Sequence, residues 1–255
     1  MADSQGMISL VVKEQIAWIT LENPSKHNSL AAADIGLFIS HLELVGDSAD
    51  IRVLVVTGTG DKTFCAGASL DQMSSGDMSG EQFQRLTDRL ADMSIPTICA
   101  LNGSVYGGGA EIGLCCDIRV GVTGMKLLVP AARFGLCYPL NGIGRYVHRL
   151  GVSTAKRLLI SAETLDEKSL MSLGYLTHLV EGPELMKTVE KMAESISKLA
   201  PLAVSSMKKI CDQIADGSLC EQEALALIQM CQKSNDLQEG LRAVGEKRPP
   251  IFTGN

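Results

Sequence analysis

The stretch Arg52-Val53-Leu54-Val55-Val56-Thr57, closed by Gly58 and Gly60, holds an apolar run with no polar position inside it. An alternating strand buries one face. A continuous β-branched run belongs to a strand covered on both faces, as in a parallel sheet flanked by helices. Pro96-Thr97-Ile98-Cys99-Ala100-Leu101 reads as another buried strand, and Asp117-Ile118-Arg119-Val120-Gly121-Val122 as a further strand. Segments of helical period lie between these runs, so the chain reads as α/β, each helix covering the sheet face beside it.

Around these runs the order of elements can be followed. Residues 8–13 and 16–21 are β-like and joined by Glu14-Gln15, which predicts a hairpin lacking the usual turn glycine. Leu30, Ile35, Leu37, Phe38, Leu42 and Val45 recur at helical spacing. Residues 61–80 read as a loop and 81–93 as a helix, and Gly107-Gly108-Gly109 opens a helix ending near Cys116. Beyond Pro183 only helical period remains, over residues 186–199, 203–214, 219–232 and 236–244. Leu225, Leu227, Ile228 and Met230 are more apolar surface than short helices need for their own packing, so self-association is expected.

Composition excludes several classes. With 255 residues, 45% of them hydrophobic, the chain can bury a large core, yet no apolar run reaches the roughly 18 residues of a membrane helix. Met1-Ala2-Asp3-Ser4-Gln5 has neither a basic nor an apolar leader region, so a cytoplasmic protein without a signal peptide is expected. A net charge of -6 opposes nucleic-acid binding, which rests on phosphate neutralisation. The eight cysteines contain no C-x-x-C pair and read as reduced, packed thiols. His27, His41, His148 and His178 lack ligand spacing, so no metal is expected, and His148 reads as part of a polar helix face.

Two stretches carry chemistry. Thr63-Phe64-Cys65-Ala66-Gly67-Ala68-Ser69-Leu70 is a run of mostly small residues just downstream of a buried strand, where a ligand can approach free backbone N–H groups. A tight turn would read the same way if this stretch stood alone. Asn102-Gly103-Ser104-Val105-Tyr106-Gly107-Gly108-Gly109-Ala110-Glu111 places three glycines between a strand and a helix, where first-turn amides and the helix dipole suit an oxyanion. Close strand-to-helix packing also calls for glycine there, and the dinucleotide fingerprint G-x-G-x-x-G is absent. Ser69 has no nucleophile-elbow surroundings, which leaves a serine hydrolase unsupported. Two separated backbone donors together are what a carbonyl needs as it becomes an enolate.

With these two stretches, Asn23-Pro24-Ser25-Lys26-His27-Asn28-Ser29-Leu30 and Lys247-Arg248-Pro249-Pro250-Ile251-Phe252, the chain resembles the crotonase superfamily, the enoyl-CoA hydratase/isomerase family. The resemblance implies a spiral core of ββα repeats with an acyl-CoA site over residues 1–195. It implies a helical trimerisation domain over residues 196–255, the trimers often pairing into hexamers. It also implies a thioester oxygen held by the amides of Ala68 and Gly108. Lys26, Ala66, Leu70 and Phe252 are the implied coenzyme A contacts, with no cofactor beyond the coenzyme A of the substrate. Many family members have a lysine soon after the first of these stretches, where this chain has Asp71, which removes one phosphate contact.

The reaction is less sharply drawn. Glu111 matches the first glutamate of the hydratases, but after Pro130, where they carry a second, this chain has Ala131. Hydration is easiest with two carboxylates, and the family's isomerases often use the missing one. Gly135-Leu136-Cys137-Tyr138-Pro139-Leu140-Asn141-Gly142-Ile143 resembles the matching loop of acyl-CoA decarboxylases, with Tyr138 as the proton donor; a tyrosine packing its ring would look the same. Arg133 reads either as a salt bridge in the core wall or as a contact to an acyl carboxylate. The expected activity is an atypical hydration or dehydration of an enoyl-CoA through Glu111. Decarboxylation through Tyr138 and a non-catalytic CoA-thioester binding protein are its rivals.

Overall fold

The computed structural model describes residues 7–255, and the residues on which the no-leader expectation rests lie outside that range. The hairpin forms as β1 (Ile8–Lys13) and β2 (Ile16–Leu21), with Lys13 opposite Ile16. Glu14 takes the left-handed conformation, φ 52°, that a two-residue turn needs where glycine is missing. Helix α1 (Ala32–Asp47) buries Ile35, Phe38, Leu42 and Val45. Leu30 belongs instead to an isolated bridge with Ala68.

Strands and helices then follow in repeats. β3 (Val53–Gly58) and β4 (Thr63–Cys65) precede α2 (Leu70–Ser75) and α3 (Gly80–Ala91). β5 (Thr97–Leu101) and β6 (Ser104–Tyr106) precede α4 (Gly108–Cys115). β7 (Ile118–Val122) and β8 (Lys126–Leu128) precede a 3-10 turn over residues 131–134 and α5 (Leu140–Ser161), which kinks at Gly151. β9 (Leu165–Asp166), α6 (Glu167–Ser172) and β10 (His178–Val180) close the core.

In each repeat the first strand joins one sheet and the second joins another, so the chain winds forward between two layers. The larger sheet runs β1-β2-β3-β5-β7-β10 and is parallel except for the hairpin edge; the smaller runs β4-β6-β8-β9. Residues 53–56 of β3 and all of β5 are buried, as an uninterrupted apolar run requires. This is the ββα spiral that the resemblance implies. Residues 61–80 are a correction: they hold β4 and α2 rather than a continuous loop. A three-residue strand and a six-residue helix are too short for their periodicity to register. Ser79 ends this region as a reciprocal N-cap of α3, its hydroxyl accepting from the Gln82 amide while its own amide donates to Gln82 Oε1.

The C-terminal part is helical: α7 (Leu185–Ser197), α8 (Pro201–Asp216), α9 (Glu221–Gln232) and α10 (Asn235–Glu246). α7 packs against the larger sheet, and Lys208 of α8 reaches Asp117 at 2.7 Å and the Ile95 carbonyl at 2.9 Å. No helix among the described residues is long and apolar enough to cross a membrane. The thiols divide. Cys65, Cys99, Cys115 and Cys116 are buried as expected, whereas Cys137, Cys211 and Cys220 are exposed, because they lie on a loop, an outward helix face and a helix entrance.

Candidate active site

The site is built where three backbone segments are stitched together. Asn28, left-handed at φ 52°, buries its side chain, which donates to the carbonyls of Thr59 and Thr63 at 3.0 and 2.9 Å and accepts from the Asn23 amide at 2.9 Å. Beyond it the Ala66 amide donates to His27, Leu30 to Gly67 and Ser69 to Leu30. The polar stretch from Asn23 to Leu30 is thereby fixed beside the small-residue run after β4.

The second glycine-rich stretch meets that run directly. Gly67 has φ +84°, and a Cβ there would stand 2.6 Å from the Gly108 nitrogen. A Cβ on Gly109 would run into the Cys65 carbonyl, so only glycine lets α4 start this close to β4. Among the described residues the amides of Ala68 and Gly108 donate to no protein group. The first is left over by a bridge that uses Gly67 O and Ser69 N, and the second is a first-turn amide of α4. Two unpaired donors lying together at a helix N-terminus can receive one developing oxyanion. The Phe83 ring crowds the Cα of Gly108 and walls the place. Cys65 accepts from the Gly67 amide at 3.2 Å, and burial pushes its thiol up to about 12, so it stays protonated.

Glu111 lies in the first turn of α4 and is 3% exposed. Arg145 of α5 donates through Nη1 to Glu111 Oε1 at 2.7 Å and to Thr87 Oγ1 at 3.0 Å, and through Nη2 to Asp88 of α3. Asn141, one turn earlier on α5, donates to the same Asp88 carboxylate at 3.1 and 3.2 Å. Burial raises the Glu111 carboxyl above its ordinary range, while the Arg145 charge pulls it down. A Cβ on Gly142 would stand 3.1 Å from both Glu111 Oε1 and Tyr138 Cδ1, so carboxylate and phenol ring flank one small position. Tyr138 packs edge-on against Tyr146, with centroids 5.9 Å apart. Burial and the Glu111 charge raise its hydroxyl, which makes it a weaker acid than free tyrosine. Ala131 is buried and supplies no second carboxylate.

The remaining sequence-derived residues divide by location. Lys26 is exposed on the turn beside Ala66, and Leu70 is exposed at the start of α2, where Asp71 also stands. Phe252 is elsewhere: its carbonyl accepts from Arg52 Nη2 at 2.7 Å, and its ring packs beside Gly240 on the wall of an apolar cavity of about 720 Å³ among α8, α9 and α10. Among the described residues Arg133 reaches no carboxylate but donates to the Ala162 carbonyl at 2.6 Å, and His148 is exposed on α5. No cluster of metal-ligating side chains occurs among the described residues.

Sequence reading alone missed Arg145, Asp88, Asn141 and Phe83. The spacing of Asn141, Gly142 and Arg145 on one helix face could have pointed Arg145 toward Glu111. Nothing local marks Asp88, whose role comes from a crossing of helices.

The "Enoyl-CoA hydratase/isomerase" family model matches residues 12–255. A crotonyl-CoA hydratase of Syntrophomonas wolfei is 29% identical, with 96% of this chain and 97% of that protein covered. An (E)-benzylidenesuccinyl-CoA hydratase of Thauera aromatica is 29% identical, covering 97% of this chain and 99% of that one. An enoyl-CoA hydratase structure from Bacillus anthracis superposes with a TM-score of 0.89 at 25% identity, covering 98% of this chain and 100% of the other. The chain belongs to the enoyl-CoA hydratase/isomerase family of the crotonase superfamily.

Proposed function

We propose that the protein adds water to, or removes it from, an enoyl-CoA thioester, holding the thioester oxygen with the amides of Ala68 and Gly108. The observation that carries this reading is their placement: two unpaired amides brought together by the Gly67–Gly108 approach, with the Glu111 carboxyl one turn along α4. As water oxygen bonds to the β-carbon, its proton passes to Glu111 and the double-bond electrons move onto the thioester oxygen as an enolate. The electrons then return and the α-carbon takes the proton from Glu111, so one water is added overall. A single carboxyl serves both transfers, since Ala131 offers no second group.

Lys26, Ala66 and Leu70 lie on the segments that flank Ala68 and are assigned to coenzyme A, with Asp71 weakening the hold on its phosphates. Phe252 lies apart from them, and its assignment rests on the family resemblance. The exposed apolar residues of the C-terminal helices, Leu241 and Val244 among them, are assigned to a trimer or hexamer contact. The test is mass spectrometry of the purified protein with enoyl-CoA and carboxyacyl-CoA thioesters. A gain of water supports hydration, and unchanged masses with CoA retained favour a binding protein.

One observation favours a second reading, decarboxylation, because Tyr138 shares the Gly142 position with Glu111. Loss of carbon dioxide that disappears in Tyr138→Phe would select it. Loss that persists undiminished would exclude Tyr138 as the acid.

A further inference from the structure

Three helices meet at one partly buried guanidinium. Arg145 of α5 is 14% exposed at its side chain, and its hydrogen bonds go to Glu111 on α4 and to Thr87 and Asp88 on α3. Asp88 is in turn gripped by Asn141, so the first two turns of α5 hold one carboxylate at two points. The guanidinium is therefore fixed in direction before it meets Glu111. Its contact is one-sided: Oε1 of Glu111 accepts from Arg145 at 2.7 Å, while no hydrogen-bond donor among the described residues is found on Oε2.

We infer that Arg145, anchored by Asp88 and Asn141, is the positioning residue of Glu111, occupying Oε1 and leaving Oε2 as the oxygen that exchanges a proton with water and the substrate α-carbon. The inference rests on the hydration reading above, in which Glu111 carries the proton. A carboxyl buried among Tyr138, Tyr146 and Cys115 is driven toward its neutral form, which cannot take a proton from water. The cation beside it, with Asp88 behind, holds the charged form within reach and fixes which oxygen faces the reaction. Arg145 touches no reacting atom, so its effect passes through Glu111.

The test titrates Glu111 in the whole protein by carboxyl 13C NMR with labelled glutamate, its signal identified by its loss in Glu111→Gln. Arg145→Met is expected to raise the Glu111 midpoint by about one pH unit or more. It is also expected to lower kcat at neutral pH by about tenfold or more while KM changes little, since only proton transfer is impaired. Arg145→Lys recovers part of both. If the stranded Asp88 prevents Arg145→Met from folding, the double variant Asp88→Asn, Arg145→Met carries the same measurement. An unmoved midpoint overturns the inference, whether or not kcat falls, because the cation would then not act through Glu111. A Glu111→Gln protein that turns over normally removes the hydration reading beneath the inference. An inactive one combined with an unmoved midpoint removes the positioning role alone.

Discussion

Gly67 and Gly108 meet backbone to backbone, close enough that a Cβ on the first would stand 2.6 Å from the nitrogen of the second. Two chain segments 41 positions apart thereby present their amides to one point. Gly67→Ala adds a left-handed cost of about 1–2 kcal/mol and pushes the segments apart. The variant is expected to lose about 10²–10³ in kcat, the scale of a lost oxyanion donor. Steady-state kinetics beside a thermal melt checks this, and unchanged kcat in a folded variant would remove the two-amide site.

The raised Glu111 carboxyl also links stability to pH. Its ordinary value is 4.5, and burial lifts it in the folded protein. Between those values the folded state holds the proton more tightly than the unfolded state does, so this contribution is complete below 4.5 and is lost as pH rises through the folded value. Glu111→Gln cannot ionise. The difference in Tm, variant minus wild type, is expected to grow more positive from about pH 4.5 to 7, and calorimetry across that range would register a flat difference if burial did not raise the group.

The C-terminal helices leave large apolar side chains in water: Leu241 is 64% and Val244 80% exposed. A mass three or six times 27.2 kDa is expected by light scattering. The pair Leu241→Glu, Val244→Glu is expected to yield monomers, and an unchanged assembly would place the contact elsewhere.

Much of this was legible in the residues, and the failures have physical causes. Strands β3 and β5 showed themselves because burial on both faces leaves a continuous apolar run, and β7 remained legible despite Arg119 in its middle. The two glycine-containing stretches were legible as backbone donors, but the contact of Gly67 with Gly108 was not, because it is made only when the two segments fold together. Strands β4, β6 and β8 left no signal, since three residues are too few to show a period. Arg145 was hidden for a different reason. Its meaning depends on Asp88 and Glu111, which lie 57 and 34 positions away and are joined to it only by the crossing of three helices.

The central claim is that one buried carboxyl moves the proton while two amides hold the enolate. The direct measurement follows the loss of the conjugated enoyl thioester's ultraviolet absorbance, with mass spectrometry of the product, for wild type and Glu111→Gln. The account predicts a water-mass gain with the wild type and a rate at least about 10²-fold lower with the variant. Equal rates, or a wild type that leaves every enoyl thioester unchanged, would contradict it.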